Sequence, residues 1–105
     1  MAKFTVIKRE DAKSATFKGF LNSPYHIIYN ILGEPYGLSE DGNIKCEWCI
    51  QLEDGTIIRV YDWKSIQDPL KRRDWNIGGS DSTAFEKIYK LLGNYTVMPP
   101  PPALP

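Results

Sequence analysis

A surplus of one charge sign, more than one histidine and any long apolar run are all missing from this chain. Thirteen Lys and Arg balance thirteen Asp and Glu, so the formal net charge is zero. A neutral chain has no global field to draw nucleic acid or a membrane surface, and only local patches can do so. No apolar run approaches the ~20 residues that a spanning helix needs. No apolar signal core stands near Met1 either. The product is therefore expected to be soluble and intracellular, with no membrane partner. His26 is the only histidine, and Cys46 and Cys49 are the only cysteines. A zinc site needs a second pair of ligands beside a C-x-x-C, so neither a metal nor another cofactor is expected. Cys46-Glu47-Trp48-Cys49 also sits in a run of β-formers, where positions three apart face opposite ways and the thiols diverge. His26 has no nucleophile elbow near it, and without a paired acid–base constellation an enzymatic role is not favoured.

What the chain does have is room for one core. Its 105 residues suit a single domain of the ordinary size. The most informative stretch runs from Ile44 to Trp63, two runs of β-formers around Asp54-Gly55. A two-residue turn would put Arg59 beside Ile50 and turn Ile58 and Val60 outward. A three-residue loop, Glu53-Asp54-Gly55, with Gly55 at positive φ, shifts the pairing by one. Ile50 then faces Ile58 and Trp48 faces Val60. The opposite face collects Gln51 with Ile57, Cys49 with Arg59, Glu47 with Tyr61, and Lys45 with Trp63. Only this register separates apolar from polar, because one slip inverts every side chain.

Around that hairpin, Lys3–Lys8 reads as a strand, Lys8–Lys13 as a charged and solvated hairpin end, and Ser14–Phe20 as a returning strand. Ser23-Pro24 opens a helix, with serine as cap and proline at the first helical position. Its stripe is Tyr25, Ile28, Tyr29 and Leu32, and Gly33 stops it. Lys64–Arg73 is a polar excursion, and Asp74–Ile77 is a short strand ending at Gly78-Gly79. A last helix follows, with Thr83 and Glu86 spaced as a capping box and with Phe85, Ile88, Tyr89 and Leu92 on its apolar side up to a stop at Gly93. The expected fold class is α+β: an antiparallel sheet with a long central hairpin and two helices packed on one face. In order, the core is helix-strand-strand-strand-helix plus N-terminal strands. Residues 1–96 form the domain, and 97–105, Val-Met-Pro-Pro-Pro-Pro-Ala-Leu-Pro, form an extended proline-rich tail. A Pro102-x-x-Pro105 spacing suits polyproline-binding grooves, and inert tails look the same.

The candidate ligand- or partner-binding residues are Glu47, Arg59, Tyr61, Trp63, Trp75, Gly78 and Gly79. Trp and Tyr on an open sheet face offer flat stacking surfaces, and Arg59 offers a planar fork. The alternative is that the N-terminal strand or the 64–73 excursion folds over this face and buries it. Trp75-Asn76-Ile77-Gly78-Gly79 ahead of a helix leaves backbone amides to approach a phosphate. Against that, Asp81 and Glu86 bring negative charge, no P-loop lysine follows, and a tight turn with ordinary capping explains the same residues.

The fragments 47–56 (Glu-Trp-Cys-Ile-Gln-Leu-Glu-Asp-Gly-Thr), 60–64 (Val-Tyr-Asp-Trp-Lys) and 75–79 (Trp-Asn-Ile-Gly-Gly) resemble a family of small uncharacterised proteins of bacteriophages and large DNA viruses. The resemblance spans about Phe20 to Leu92 and implies a viral origin, but no activity. That family has histidine where this chain has Asn76, so a site that depends on that histidine would be weakened or altered here. The helix–strand–strand–strand–helix order is also similar to double-stranded-RNA-binding domains. Their basic cluster at the second helix is replaced here by the acidic 79–86 stretch. The expectation is a non-enzymatic viral accessory protein. It would engage a host protein or a small phosphorylated, nucleotide-like signal through the polar aromatic sheet face, in the host cytoplasm. An RNA-binding module and a small hydrolase are the alternatives, and nucleic acid is disfavoured by net neutrality.

Overall fold

Alternation in the central hairpin decides the architecture. The structure is a computed structural model and describes residues 3–92. Strands β3 (Glu47–Leu52) and β4 (Ile57–Tyr61) pair antiparallel in the bulged register. Trp48 is opposite Val60 and Ile50 opposite Ile58, while Glu47 faces Tyr61, Cys49 faces Arg59 and Gln51 faces Ile57. The Leu52 amide donates to the Thr56 carbonyl (2.8 Å) and the Gly55 amide to the Leu52 carbonyl (2.9 Å). Gly55 sits at φ +94°, the region where a Cβ is disfavoured. The paired register ends at Glu47 and Tyr61, so Lys45 and Trp63 lie beyond it.

Three more strands complete one antiparallel sheet: β1 (Phe4–Val6), β2 (Thr16–Asn22) and β5 (Asp74–Gly79), in the order β1-β3-β4-β5-β2. The expected N-terminal hairpin does not form. β1 and β2 do not pair, and lie at opposite edges of the sheet. The chain between them crosses one sheet face through a 3₁₀ turn at Arg9–Ala12. Lys8–Lys13 is thus no hairpin end: Lys8, Glu10, Asp11 and Lys13 are solvated as expected, but Arg9 turns onto the sheet and Ala12 and Ala15 are buried against it.

The other face carries the core. Helix α1 (Tyr25–Leu32) contributes Ile28 and Leu32, and helix α2 (Ala84–Leu92) contributes Ala84, Ile88 and Leu92. They cover Trp48, Ile50, Leu52, Ile58, Val60, Trp75 and Ile77, each large side chain contributing about 1.5–3 kcal/mol on burial. Trp48 and Trp75 meet edge to face at 5.3 Å. Their indole N–H groups donate to backbone carbonyls at either end of α1, Trp75 to Ser23 (3.0 Å) and Trp48 to Gly33 (2.7 Å). The helix is held at both tips by rings that also fill the core.

Three local expectations shift. Pro24, not Ser23, occupies the cap position of α1, and the Ser23 hydroxyl donates to the Pro24 carbonyl instead of capping. Ahead of α2, the Asp81 carboxylate accepts the Thr83 amide (2.8 Å), and Glu86 lies 3.9 Å from Lys90. β5 runs two residues further than expected and takes in Gly78 and Gly79. Lys87 ties α2 to the hairpin loop, reaching Asp54 at 2.7 Å and the Thr56 hydroxyl at 2.8 Å. The expected stop at Gly93 and the proline-rich segment 97–105 lie outside the described residues.

Gly79 and Gly55 differ in kind. A Cβ on Gly79 would stand 2.1 Å from the Ala84 Cβ, so the residue lets α2 lie on the sheet; a Cβ on Gly55 would meet nothing within 4 Å. Gly79→Ala is expected to cost about 3 kcal/mol through overpacking, and Gly55→Ala about 1 kcal/mol through backbone strain alone. Urea denaturation measures both, and an equal or smaller loss at Gly79 would remove the packing assignment.

Candidate functional site

Crossing from β1 to β2, the N-terminal segment lies over the sheet face that the polar hairpin residues share. Glu47, only 3% exposed, sits beneath it and is answered from two sides. Arg9 Nε donates to Glu47 Oε1 at 2.8 Å, and Arg59 Nε donates to Oε2 at 2.5 Å. A carboxylate taken out of water is tolerated only when its oxygens find charged or polar donors, and here each oxygen has a guanidinium. The guanidinia have further partners. Arg9 donates to the carbonyls of Gly37 and Leu38, and Arg59 to that of Ala15 at 3.5 Å. Arg59 stacks over Tyr61 at 4.2 Å and Arg9 over Tyr36 at 5.4 Å. The Tyr36 hydroxyl donates to the Ile7 carbonyl at 2.9 Å. This network fastens the crossing segment and the 34–43 loop to the hairpin.

The expected site residues are therefore distributed differently from an open platform. Glu47 and Arg59 are together, but each engages the other. Tyr61 is buried under the Arg59 guanidinium. Trp63, just beyond the end of β4, is 46% exposed. Trp75 belongs to the core beneath the helices, where it touches Trp48 and Tyr25. Gly78 and Gly79 form no free-standing loop. Gly78 pairs with Phe17 and Arg59, Gly79 with Thr16 and Ile58, so both lie inside a central strand. A Cβ on Gly78 would come 3.1 Å from the Ala15 carbonyl, so this glycine admits the crossing segment. Close packing on the two sheet faces accounts for the glycine pair.

Two residues that sequence reasoning passed over stand out. Phe17 and Phe20 are 52% and 66% exposed and meet edge to face at 5.1 Å. Three positions apart on a regular strand, they would point to opposite faces. The register of β2 against β5 shifts between Phe17 and Gly19, so Phe17 pairs with Gly78 and Phe20 with Asn76, and both lie on the crossing-segment side. Gly19, at φ +154°, was the available signal, since glycine inside a strand often marks a bulge.

A groove of about 680 Å³ opens between the crossing segment and the 38–44 loop. Its charged lining is Arg9, Lys13 and Arg59 against Glu10, Glu40, Asp41 and Glu47. Among the described residues no cluster of His, Cys, Asp and Glu could hold a metal ion. Nor, among them, is any helix long and apolar enough to cross a membrane. The free thiols point to opposite faces, Cys46 into the helix-side core and Cys49 beside Arg59. Burial pushes each thiol up to about 12, helped by the Asp62 carboxylate at Cys46 and by Glu47 at Cys49. Asp62 is itself fully buried. One of its oxygens accepts the amides of Lys45 and Cys46 (2.8 and 3.2 Å), and the other has no partner among the described residues.

Comparison of the chain with models of protein families, with curated proteins and with solved structures finds no match.

Glu47→Gln leaves two guanidinia without a counter-charge. Complete burial would make that a loss of ~3–5 kcal/mol, and the partial exposure of both arginines reduces the expectation to about 2–3 kcal/mol. A midpoint in urea within experimental error of wild type would show that Glu47 does not hold the crossing segment. The thiols make a second prediction. A raised folded pKa means the unfolded chain loses these protons first, from about pH 8.5 upward. Stability should therefore fall as pH rises from there towards about 12, and Cys46→Ala with Cys49→Ala should remove that part of the slope. Denaturation at a series of alkaline pH values measures it, and an unchanged slope in the double variant would refute the thiols' part.

Proposed function

We propose that this chain is a non-enzymatic binding protein, and that its partner is another protein held at the aromatic end of the crossing-segment face. The observation that carries this reading is the exposure of the Phe17–Phe20 pair on β2, with Trp63 exposed just past the end of β4. Phe20 is level with Tyr61 across Asn76, at the end of the sheet from which Trp63 departs, and Phe17 is level with Arg59 across Gly78. Exposed aromatic clusters on a rigid sheet are costly to leave in water, and aromatics are enriched where a few side chains carry most of an interface's energy. β2 also has a free edge, but its bulge at Lys18 places a charge there and interrupts the ladder, which disfavours strand addition.

A small phosphorylated ligand fits less well. Both guanidinia of the groove are taken up by Glu47, and acidic side chains outnumber basic ones along its wall. Duplex RNA fits less well too, since Asp81 stands where a basic grip at the second helix would be needed. The setting of a viral accessory protein acting on a host component in the cytoplasm belongs to the same proposal. It rests on the resemblance of the 47–56, 60–64 and 75–79 motifs to phage and large DNA virus proteins.

Phe17→Ser combined with Phe20→Ser should leave the unfolding midpoint near that of wild type, because both side chains are exposed. It should also abolish capture of the partner, read by quantitative mass spectrometry of proteins retained by the two immobilised chains and repeated with the purified partner. Identical retention by the two chains would end the assignment of this face.

A further inference from the structure

We infer that the excursion from Trp63 to Arg73 docks the protein on an anionic lipid surface, a contact separate from the Phe17–Phe20 pair. Both ends of the excursion are pinned to the domain. At one end the Lys64 amide donates to the Asn43 carbonyl at 2.7 Å, with Lys64 at φ +51°. At the other, the Arg73 carbonyl accepts the Ser23 amide at 2.8 Å. Between them the backbone is folded on itself. The Ser65 hydroxyl accepts the Gln67 amide, the Asp68 carboxylate accepts the Leu70 amide, and Pro69–Lys71 forms a 3₁₀ turn.

What this pinned loop presents is unusual for a protein surface. Ile66 is fully exposed (100%), Leu70 is 67% exposed and Trp63 46%. The same eleven residues hold four cations, of which Lys64, Lys71 and Arg73 are exposed and Arg72 is half-buried over the Trp75 ring at 5.7 Å, against the single carboxylate of Asp68. The excursion thus carries a net charge of +3 in a chain whose total is zero, which leaves the remainder at −3. The local field is attractive to anions although the whole molecule has none.

Aliphatic, indole and cationic groups together fit the border of a bilayer. Aliphatic side chains enter the acyl boundary, Trp prefers the headgroup level, and Lys and Arg meet anionic headgroups. A nucleic acid would satisfy the cations and the indole but give Ile66 and Leu70 no apolar partner. A protein would need a cavity shaped for a projecting isoleucine, whereas a lipid surface accepts it without one. The contact is peripheral and reversible, since so few inserted side chains fall far short of a permanent anchor. It would set the rest of the domain, including the Phe17–Phe20 pair, at a defined orientation to the surface.

The experiment is flotation of the full chain with vesicles of phosphatidylcholine alone and with vesicles that also contain phosphatidylserine. Binding to the second only, weakening as salt is raised, is the expected result. Trp48 and Trp75 are already buried, so a blue shift of tryptophan emission on binding reports Trp63. Trp63→Phe should abolish the shift. Ile66→Ser with Leu70→Ser, and separately Lys71→Glu with Arg73→Glu, should each lower partitioning about tenfold or more. All four side chains are exposed, so the unfolding midpoints should stay at the wild-type value, which excludes misfolding as the cause. The Phe17→Ser, Phe20→Ser chain should bind vesicles as wild type does, so failure of the protein-binding face and failure of this contact are distinguishable. The inference is overturned by absent binding, by equal binding to both vesicle types, or by loop variants that float like wild type. It is equally overturned if the chain ignores vesicles but binds RNA in a fluorescence-anisotropy titration and loses that binding in Lys71→Glu with Arg73→Glu.

Discussion

Glu47 is a carboxylate placed by strand alternation on a sheet face that the chain then covers. Left alone there it would be a buried charge without a partner, which costs several kcal/mol. Arg59 reaches it from the neighbouring strand, but one guanidinium serves one of its two oxygens. The second comes from Arg9, and Arg9 can arrive only if the N-terminal segment crosses the sheet. From that requirement follow the separation of β1 and β2 to opposite edges, the burial of Ala12 and Ala15, and the need for glycine at position 78.

The opposite face is organised by packing, with polar atoms satisfied locally. Trp48 and Trp75 fill the centre, and their N–H groups donate to carbonyls at the two ends of α1, so the largest core side chains also position a helix. Gly79 does for α2 what Gly78 does for the crossing segment: consecutive glycines on one strand point to opposite faces and admit a close neighbour on each. Among the described residues, β2 and the excursion after β4 hold most of the large apolar side chains left exposed after both faces are packed, beside Val6, Tyr29 and Leu38. There the aromatic and aliphatic side chains stay in contact with water.

The hairpin was legible because alternation is local. Its register follows from which residues are apolar, and every predicted pair from Glu47–Tyr61 to Gln51–Ile57 is present. The α+β class and most of the two helix stripes were legible for the same reason, although Tyr29, expected on the stripe of α1, is exposed and donates to Glu34. The site was less so. Trp63 reads as exposed from its neighbours, but Trp75 looks like a surface aromatic until the helices are placed over it. Glu47 and Arg59 look like free recognition groups until Arg9, thirty-eight positions from Glu47, is brought to them. Phe17 and Phe20 share a face only because the strand slips at Lys18, and spacing alone argues the reverse.

Period-two patterning, glycine at a positive-φ turn and helix stripes are properties of neighbouring residues, so the sequence by itself determined the strands, their inward sides and the class of fold. Which strand becomes an edge, which charge meets which, and which aromatics remain in solvent depend on contacts between residues far apart in the chain. The tertiary structure decided these. The reason is physical: desolvating Glu47 and the two indoles has to be balanced by whatever donors and acceptors the folded chain brings within reach, and no local pattern encodes that.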